Sequence, residues 1–380
     1  MDIIKYSKQH NKFRQKVRDF VNKEIIPCVD QWEKDKMWPR SVWKRCGEEG
    51  FLCSGISEKY GGQSLDYLYG LIVTEEFTKA RQCGAGPALH SNIVVPYVES
   101  YATEENKKKY LPGCISGDII TAVAMTEPDT GSDLASISTT AVETGDEVII
   151  NGSKIFISNG ISSDLIILAA KDPAVKNPHK AISLYLVEAD TTGFSKGRNL
   201  GKLGMRSNDT AELFFSNCKI PIQNRLGNKG EGFKLLMSKL QAERLITALW
   251  AMVSAEYIYD NTLAFYKNNY GPKKTYLKSQ AVEFALVEVV TEIKIARTFM
   301  DTLIVDHMEG KNIVTEISMA KYWISELAKK VGNKCLDIFG DQAILESCPI
   351  VRTCRDVKAQ SIFAGTTEIM KVIIGKSMQL

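Results

Sequence analysis

The sequence lacks a charge excess, a cysteine pair motif, a long apolar run and every common short cofactor signature, and each absence removes a class of protein. Across 380 residues, 48 Lys and Arg face 45 Asp and Glu, so 48 − 45 leaves a formal charge of +3. A nucleic-acid binder usually carries a strong basic excess, so nucleic acid is not an expected partner. The nine cysteines are an odd number, scattered from Cys28 to Cys354 with no Cys-x-x-Cys, which argues against a disulfide scaffold. The start, MDIIKYSKQHNKF, has no apolar signal core. Reduced thiols and a cytoplasmic location are therefore expected. No run of about 18 apolar residues occurs, so no membrane span is expected. His10, His90, His179 and His307 share no metal-ligand spacing, and no metal is expected. A strand-borne GxGxxG, a Walker A loop, a GxSxG elbow and an HExxH helix are all missing.

What is present is an ordinary globular composition, 44% hydrophobic and 24% charged. At roughly 100–200 residues per domain the length suits two or three domains. Periodicity divides the chain in three, at 1–119, 120–224 and 225–380. The first part is helical, with Phe13, Val17, Phe20 and Val21 at three- and four-residue steps. The second holds short β-branched runs (IITAVAM, EVIINGSKIFISN, DLIILAA, ISLYLVEA, AELFFSNCKIP) between Gly, Asn, Asp and Ser clusters. These predict an antiparallel, barrel-like β unit. After GNKGEG the helical period returns, predicting helices over 232–268, 278–309 and 313–339. The fold class expected is α+β, with a helical part, a β part and a C-terminal four-helix bundle.

Four segments carry chemistry. Met125-Thr126-Glu127-Pro128 to Asp133 is an irregular loop rich in hydroxyls and carboxylates. It suits a ligand, and it equally suits a polar turn with Thr126 or Ser132 as a local cap. In Asn151–Gly160, alternation would put Phe156 and Ser158 on one side of a strand and Ile155 and Ile157 on the other. That pair fits a flat heteroaromatic ligand, or a core aromatic beside a satisfied hydroxyl. On the long helix, Leu236, Leu240, Glu243, Thr247 and Trp250 form one stripe. A carboxylate inside an apolar stripe is costly unless paired or employed. Glu243 is thus either an ion-pair partner of Lys239 or a base with a raised pKa. Finally, Thr366 suits a helix N-cap with Glu368 in the first turn, a terminus that offers N–H groups to an anion.

Together these segments resemble the acyl-CoA dehydrogenase family over essentially the whole chain. The run is Met-Thr-Glu-Pro-x-x-Gly-Ser-Asp, Asn-Gly-x-Lys-x-x-Ile-x-Asn-Gly, a Gly-x-Gly-Phe helix, Arg355-Asp356 and Ala-Gly-Thr-Thr-Glu-Ile. The resemblance implies FAD, with Met125, Thr126, Phe156, Ile157 and Ser158 near the isoalloxazine ring and Gln280, Thr366 and Glu368 toward the pyrophosphate. It implies an acyl thioester substrate touched by Ser132, Gln241, Arg244, Ala364 and Gly365, and an electron-transfer flavoprotein as electron acceptor. Many members carry the catalytic glutamate where this chain has Ala364. A subgroup like the long-chain and isovaleryl-type enzymes places it in a Glu-Arg pair on the long helix, here Glu243-Arg244. The segment Met319-Ala-Lys-Tyr-Trp-Ile-Ser-Glu-Leu also resembles the long-chain type.

Four positions depart from the family pattern. Asn269 stands in place of an Arg that binds the FAD pyrophosphate. Asp337 replaces a Gln, and Asp341 and Ala343 replace glycines. Added carboxylates repel a pyrophosphate, and the nearby Lys273 and Lys274 are candidates to compensate. In the family these elements serve the neighbouring subunit's flavin. The expected assembly is a homotetramer, with a hetero-oligomer completed by a related chain as the rival. A flavin oxidase or monooxygenase on the same fold is the alternative chemistry, and a flavin-poor structural or regulatory subunit is the non-enzymatic alternative.

Overall fold

The computed structural model describes residues 3–82, 86–270 and 280–380. The first part comprises α1 (Lys8–Phe20), α2 (Val29–Asp35), α3 (Arg40–Glu48), α4 (Tyr67–Lys79), α5 (Val95–Tyr101) and α6 (Glu104–Ser116). Ser7 opens α1 with a capping box shared with His10. Asp66 caps α4 by accepting from the Leu68 N–H. Helix α4 packs against α1 on one side and, further along the chain, against the long helix of the C-terminal part. It is buried nearly all round, Glu75 and Glu76 included. Those two carboxylates are answered by Arg14, Arg18 and Arg297 at 2.5, 2.9 and 3.1 Å, so the burial leaves no charge unpaired.

The middle part holds β1 (Thr121–Ala124), β2 (Thr140–Thr144), β3 (Glu147–Ser158), β4 (Leu165–Lys171), the short α7 (Pro178–Ala181), β5 (Ile182–Glu188), β6 (Phe194–Asn199), β7 (Thr210–Pro221) and β8 (Arg225–Leu226). The strand path runs β6-β7-β3-β2-β4-β5-β8, with β1 added beside β4. The pairing is not antiparallel throughout: β1 lies parallel to β4, with Thr121 opposite Leu165. The long stretch between these strands supplies the crossover that a parallel pair needs and a hairpin cannot. Strand β4 explains why DLIILAA is apolar without alternation. Leu165, Ile167 and Ala169 join the core shared with the helices, while Ile166, Leu168 and Ala170 fill the β core. Burial on both faces erases the period of two.

The C-terminal part contains α8 (Gly232–Tyr270), α9 (Gln280–Met308), α10 (Val314–Phe339), α11 (Val351–Gln360) and α12 (Thr367–Ser377). A side chain at Gly232 would place a Cβ 2.8 Å from the Ser183 backbone, so α8 can start against β5 only as glycine. Helices α8, α9 and α10 pack along one another and α12 lies on α10. All three parts meet at one joint. The Met205 N–H donates to the Asp356 carboxylate at 2.5 Å and the Ser207 N–H to Glu33 at 2.9 Å. Among the described residues no helix is long and apolar enough to cross a membrane.

Candidate active site

The stripe read from the sequence is buried on α8: Leu236, Leu240, Thr247 and Trp250 are all inside. Glu243 sits among them and is not paired with Lys239. The Lys239 amine instead donates to the Ser100 hydroxyl at 2.8 Å and lies 5.4 Å over the Tyr101 ring. Glu243 Oε2 is buried without a hydrogen-bond partner, and so are Gln241 Nε2 and Arg244 Nε. Three orphaned polar atoms within four residues are unusual in a folded chain, where such groups are nearly always paired. Burial raises Glu243 to about 7, against the pull of the Arg244 and Lys321 charges. Burial also lowers the pKa of Arg244, against the pull of Glu243.

Above this end of α8 lies the turn between α11 and α12. Ala364 and Gly365 have φ of +56° and +97°, a left-handed pair that an alanine adopts at a cost of about 1–2 kcal/mol. A Cβ on Gly365 would stand 3.9 Å from the Arg244 guanidinium and 2.6 Å from Met370 Cε. The turn is held from several sides. The Lys321 ammonium donates to the Gly365 carbonyl, and Trp250 meets Phe363 edge-on at 6.0 Å. The Thr367 hydroxyl donates to Glu326 at 2.9 Å. Thr366 caps α12 by accepting from the Ile369 N–H at 3.2 Å, and Glu368 lies in the first turn. The 364–365 turn therefore stands against Arg244, which adjoins Glu243 and Gln241 on α8.

A second surface is built on β3. Lys154 is buried in its strand, and its ammonium donates to the Met125 carbonyl at 2.9 Å and to Glu127 at 2.8 Å. Glu127 also accepts from the Ser138 N–H and hydroxyl and the Thr139 N–H at 2.5, 2.6 and 2.9 Å. These bonds, with Ile155 N–H to the Thr126 carbonyl at 3.0 Å, moor the 125–127 segment on the strand. The turn closes through the Glu127–Thr130 backbone pair, and Ser132 is exposed beyond it. Neither Thr126 nor Ser132 acts as a side-chain cap among the described residues.

Simple alternation fails along β3. A bulge separates Lys154 from Ile157, and Phe156 adopts φ of +59°. The bulge turns Phe156 outward, 64% exposed, while Ile157 goes into the β core at 2%. Ile157 therefore offers a ligand only its backbone. Phe156, half-buried Met125 and the unbonded hydroxyls of Thr126 and Ser158 leave an aromatic face beside free polar groups.

The departing positions gather elsewhere. Phe265 and Phe339 stack at 4.1 Å, which joins the far ends of α8 and α10. Asn269 is at that end, its amide donating to the Phe265 carbonyl at 2.9 Å. Asp337 and Asp341 are exposed nearby in sequence on α10 and just after it, and Gln280 is exposed at the start of α9. Lys273 and Lys274 lie outside the described residues. At 1.5 Å per residue, Asn269 stands about 40 Å along α8 from Glu243.

Sequence reasoning missed three positions. Lys154 and Lys321 are lysines with no exposure beyond 1%, and lysine in an amphipathic pattern reads as solvent-facing. Tyr97 on α5 has a buried hydroxyl without a partner, and its pKa is raised by burial first and by Glu243 next.

Comparison with known proteins identifies the family. The family models described as acyl-CoA dehydrogenase N-terminal, middle and C-terminal domains match residues 7–118, 122–218 and 230–379. A mitochondrial long-chain specific acyl-CoA dehydrogenase of Mus musculus is 39% identical over 374 residues, covering 98% of this chain and 87% of the relative. An acyl-CoA dehydrogenase of Bacillus subtilis is 33% identical over 96% of each chain. The crystal structure of an acyl-CoA dehydrogenase from Geobacillus kaustophilus superposes with a TM-score of 0.95 at 47% identity over 99% of each chain. The chain belongs to the acyl-CoA dehydrogenase family.

Proposed function

We propose that this protein is an FAD-dependent dehydrogenase of acyl-CoA thioesters, forming a trans-2-enoyl product, with Glu243 as the base for the α-proton. The observation that carries the reading is the cluster of orphaned atoms on Gln241, Glu243 and Arg244 beneath the Ala364–Gly365 turn. A thioester α-proton is far too weakly acidic for a carboxylate unless its carbonyl is polarised. The Ala364 N–H is the donor for that oxygen, held ready by a turn fixed before substrate arrives. A carboxyl raised to about 7 is matched to proton abstraction near neutrality. Gln241, Arg244 and Ser132 bind the thioester and its carrier portion.

The β3 surface fits FAD: the exposed Phe156 face, Met125, and the free hydroxyls of Thr126 and Ser158 suit a flat heteroaromatic ring with polar edges. Thr366 and Glu368 frame a helix N-terminus suited to the pyrophosphate, and Gln280, at the start of α9, is a further candidate contact for a pyrophosphate. When bound, FAD supplies the hydride acceptor and passes electrons on to an electron-transfer flavoprotein. Asn269, about 40 Å from Glu243 along α8, serves a neighbouring subunit in this reading, together with Asp337 and Asp341 at the end of α10. The exposed Phe284, Val287 and Ile295 of α9 support assembly with further copies, a homotetramer in the first instance. The carboxylates at Asp337 and Asp341 favour one rival, a hetero-oligomer whose partner completes the flavin site.

The test is enoyl-CoA formation from acyl-CoA with an artificial electron acceptor, compared with Glu243→Gln. Turnover that survives in the variant would overturn the assignment of the base. Flavin stoichiometry decides the assembly: near one FAD per chain in the protein purified alone supports the homomeric enzyme, and little FAD after soaking supports the rival.

A further inference from the structure

Lys321 has no part in the reading above, yet it is among the largest fully buried side chains in the protein. Taking an ammonium out of water costs several kcal/mol, and a fold tolerates it where the charge or its hydrogen bonds are used. Among the described residues its hydrogen-bond partner is the Gly365 carbonyl. The charged groups facing it come from three helices: Glu243 and Arg244 from α8, Glu326 from its own α10, and Glu368 from α12. Glu326 is already engaged by Lys329 at 2.7 Å and Thr367 at 2.9 Å, and Glu368 lies at the exposed surface. Glu243, whose Oε2 is buried and unbonded, is the remaining carboxylate in electrostatic range of Lys321. The other groups facing Glu243 are Arg244 and the unpartnered Tyr97 hydroxyl of α5. Lys239, one turn earlier on α8, is occupied by Ser100.

We propose that Lys321 is a positioning residue for the proton-transfer step: its ammonium clamps the Gly365 carbonyl, fixing the left-handed Ala364–Gly365 turn, and its charge holds Glu243 in the ionised, proton-accepting form. The inference rests on Glu243 being the base. One side chain then sets both partners of the step, the N–H that polarises the thioester and the carboxylate that removes the proton. The clamp opposes relaxation of Ala364 from a conformation that costs about 1–2 kcal/mol. The charge matters because burial alone drives Glu243 toward the protonated form, and Lys321 and Arg244 are the cations that restrain it. Burial, and then Arg244, bring Lys321 itself down to about 8. The ionised Glu243 and the protonated Lys321 therefore coexist best in a window of pH about 7 to 8.

Two variants separate the two roles. Lys321→Gln keeps a donor for Gly365 and removes the charge, whereas Lys321→Met removes both. The first readout is infrared titration of the Glu243 carboxyl in the substrate-free holoprotein, its band assigned by its loss in Glu243→Gln. The midpoint is expected to rise by about one pH unit in Lys321→Gln, and the acid limb of kcat/KM to move with it. Plateau kcat is expected to fall about tenfold further in Lys321→Met than in Lys321→Gln. An unmoved midpoint in Lys321→Gln overturns the proposal whatever the activity, and it decides the matter even where Lys321→Met does not fold. Equal plateau kcat in the two variants overturns the clamp. A shifted midpoint in a protein whose wild type does not turn over acyl-CoA supports the Lys321–Glu243 coupling and overturns the assigned reaction instead.

Discussion

The molecule buries two glutamates beside two lysines and treats them in opposite ways. Glu127 accepts from Lys154, from the Ser138 N–H and hydroxyl, and from the Thr139 N–H. Burial would raise its pKa, but Lys154 and those donors outweigh it and pull it down to about 2. Glu243 has Arg244 and Lys321 in electrostatic range, yet no donor reaches its Oε2. There burial wins, and the carboxyl rises to about 7. Nearby positive charge is common to both. What differs is the ring of hydrogen bonds that replaces lost hydration. A carboxylate given every donor becomes part of the frame, and one denied donors keeps its affinity for a proton.

The sharpest way to break that contrast is Glu243→Gln. Turnover of acyl-CoA is expected to fall about 1,000-fold or more. Stability should move the other way. The folded pKa of about 7 exceeds the ordinary 4.5, so Glu243 favours the fold fully below pH 4.5 and loses that contribution as pH rises through 7. Glutamine does not titrate, and the variant should be more stable than wild type at pH 8 by about 1–3 kcal/mol, with a smaller difference at pH 5. Chemical denaturation at the two pH values reads this directly. A variant less stable at pH 8 would make Glu243 a second Glu127 and end the comparison.

Lys154→Met attacks the other side. It leaves the Glu127 charge buried without its cation, held only by Ser138 and Thr139, with an expected loss of about 3 kcal/mol of stability. It also frees the Met125 carbonyl, so FAD affinity should drop along with the denaturation midpoint. The pH dependence then separates the two sites without mutation. Activity should decline as pH falls below about 7, as Glu243 takes up its proton. The fold should hold well past that point. Glu127 contributes stability above pH 4.5 and loses it as pH falls toward 2. Coincident loss of kcat/KM and of near-UV circular dichroism would show that one group controls both.

The sequence revealed the α8 stripe because 3.6-residue periodicity survives wherever a helix has one consistent face. Leu236, Leu240, Glu243, Thr247 and Trp250 could be assigned before any coordinates. The β part was legible as strands but not in its details. The Phe156 bulge breaks the alternation on which the facing of Ile155, Ile157 and Ser158 depended. The parallel β1–β4 pair joins segments too far apart for a local pattern to register. The buried lysines were the deepest gap. Lys154 and Lys321 are inside only because particular carbonyls and carboxylates wait for them, and those partners come from other segments of the chain. The departures at Asn269, Asp337 and Asp341 were visible as letters. Only the length of α8 shows that Asn269 stands far from the Glu243 cluster, and the Phe265–Phe339 stack brings the end of α10 to the same place.

The smallest expected effect concerns the turn that joins the two halves of the site. Ala364 has φ of +56°, which glycine adopts freely, so Ala364→Gly removes about 1 kcal/mol of strain. Glycine also loses more chain entropy on folding, about 0.5–1 kcal/mol, and the two nearly cancel. Stability should therefore change by less than about 0.5 kcal/mol, and kcat should change little because the backbone N–H remains. Ala364→Val should behave otherwise, since a β-branched residue resists positive φ. The informative comparison adds Lys321→Met. Where the Gly365 clamp carries the strain of Ala364, releasing that strain matters more once the clamp is gone. Ala364→Gly should then recover stability in the Lys321→Met background that it does not provide in wild type, a coupling of about 0.5 kcal/mol or more. Strict additivity in that double-mutant cycle would mean that the turn holds its shape from Thr366, Thr367 and Phe363 alone, with Lys321 acting on Glu243 only through its charge.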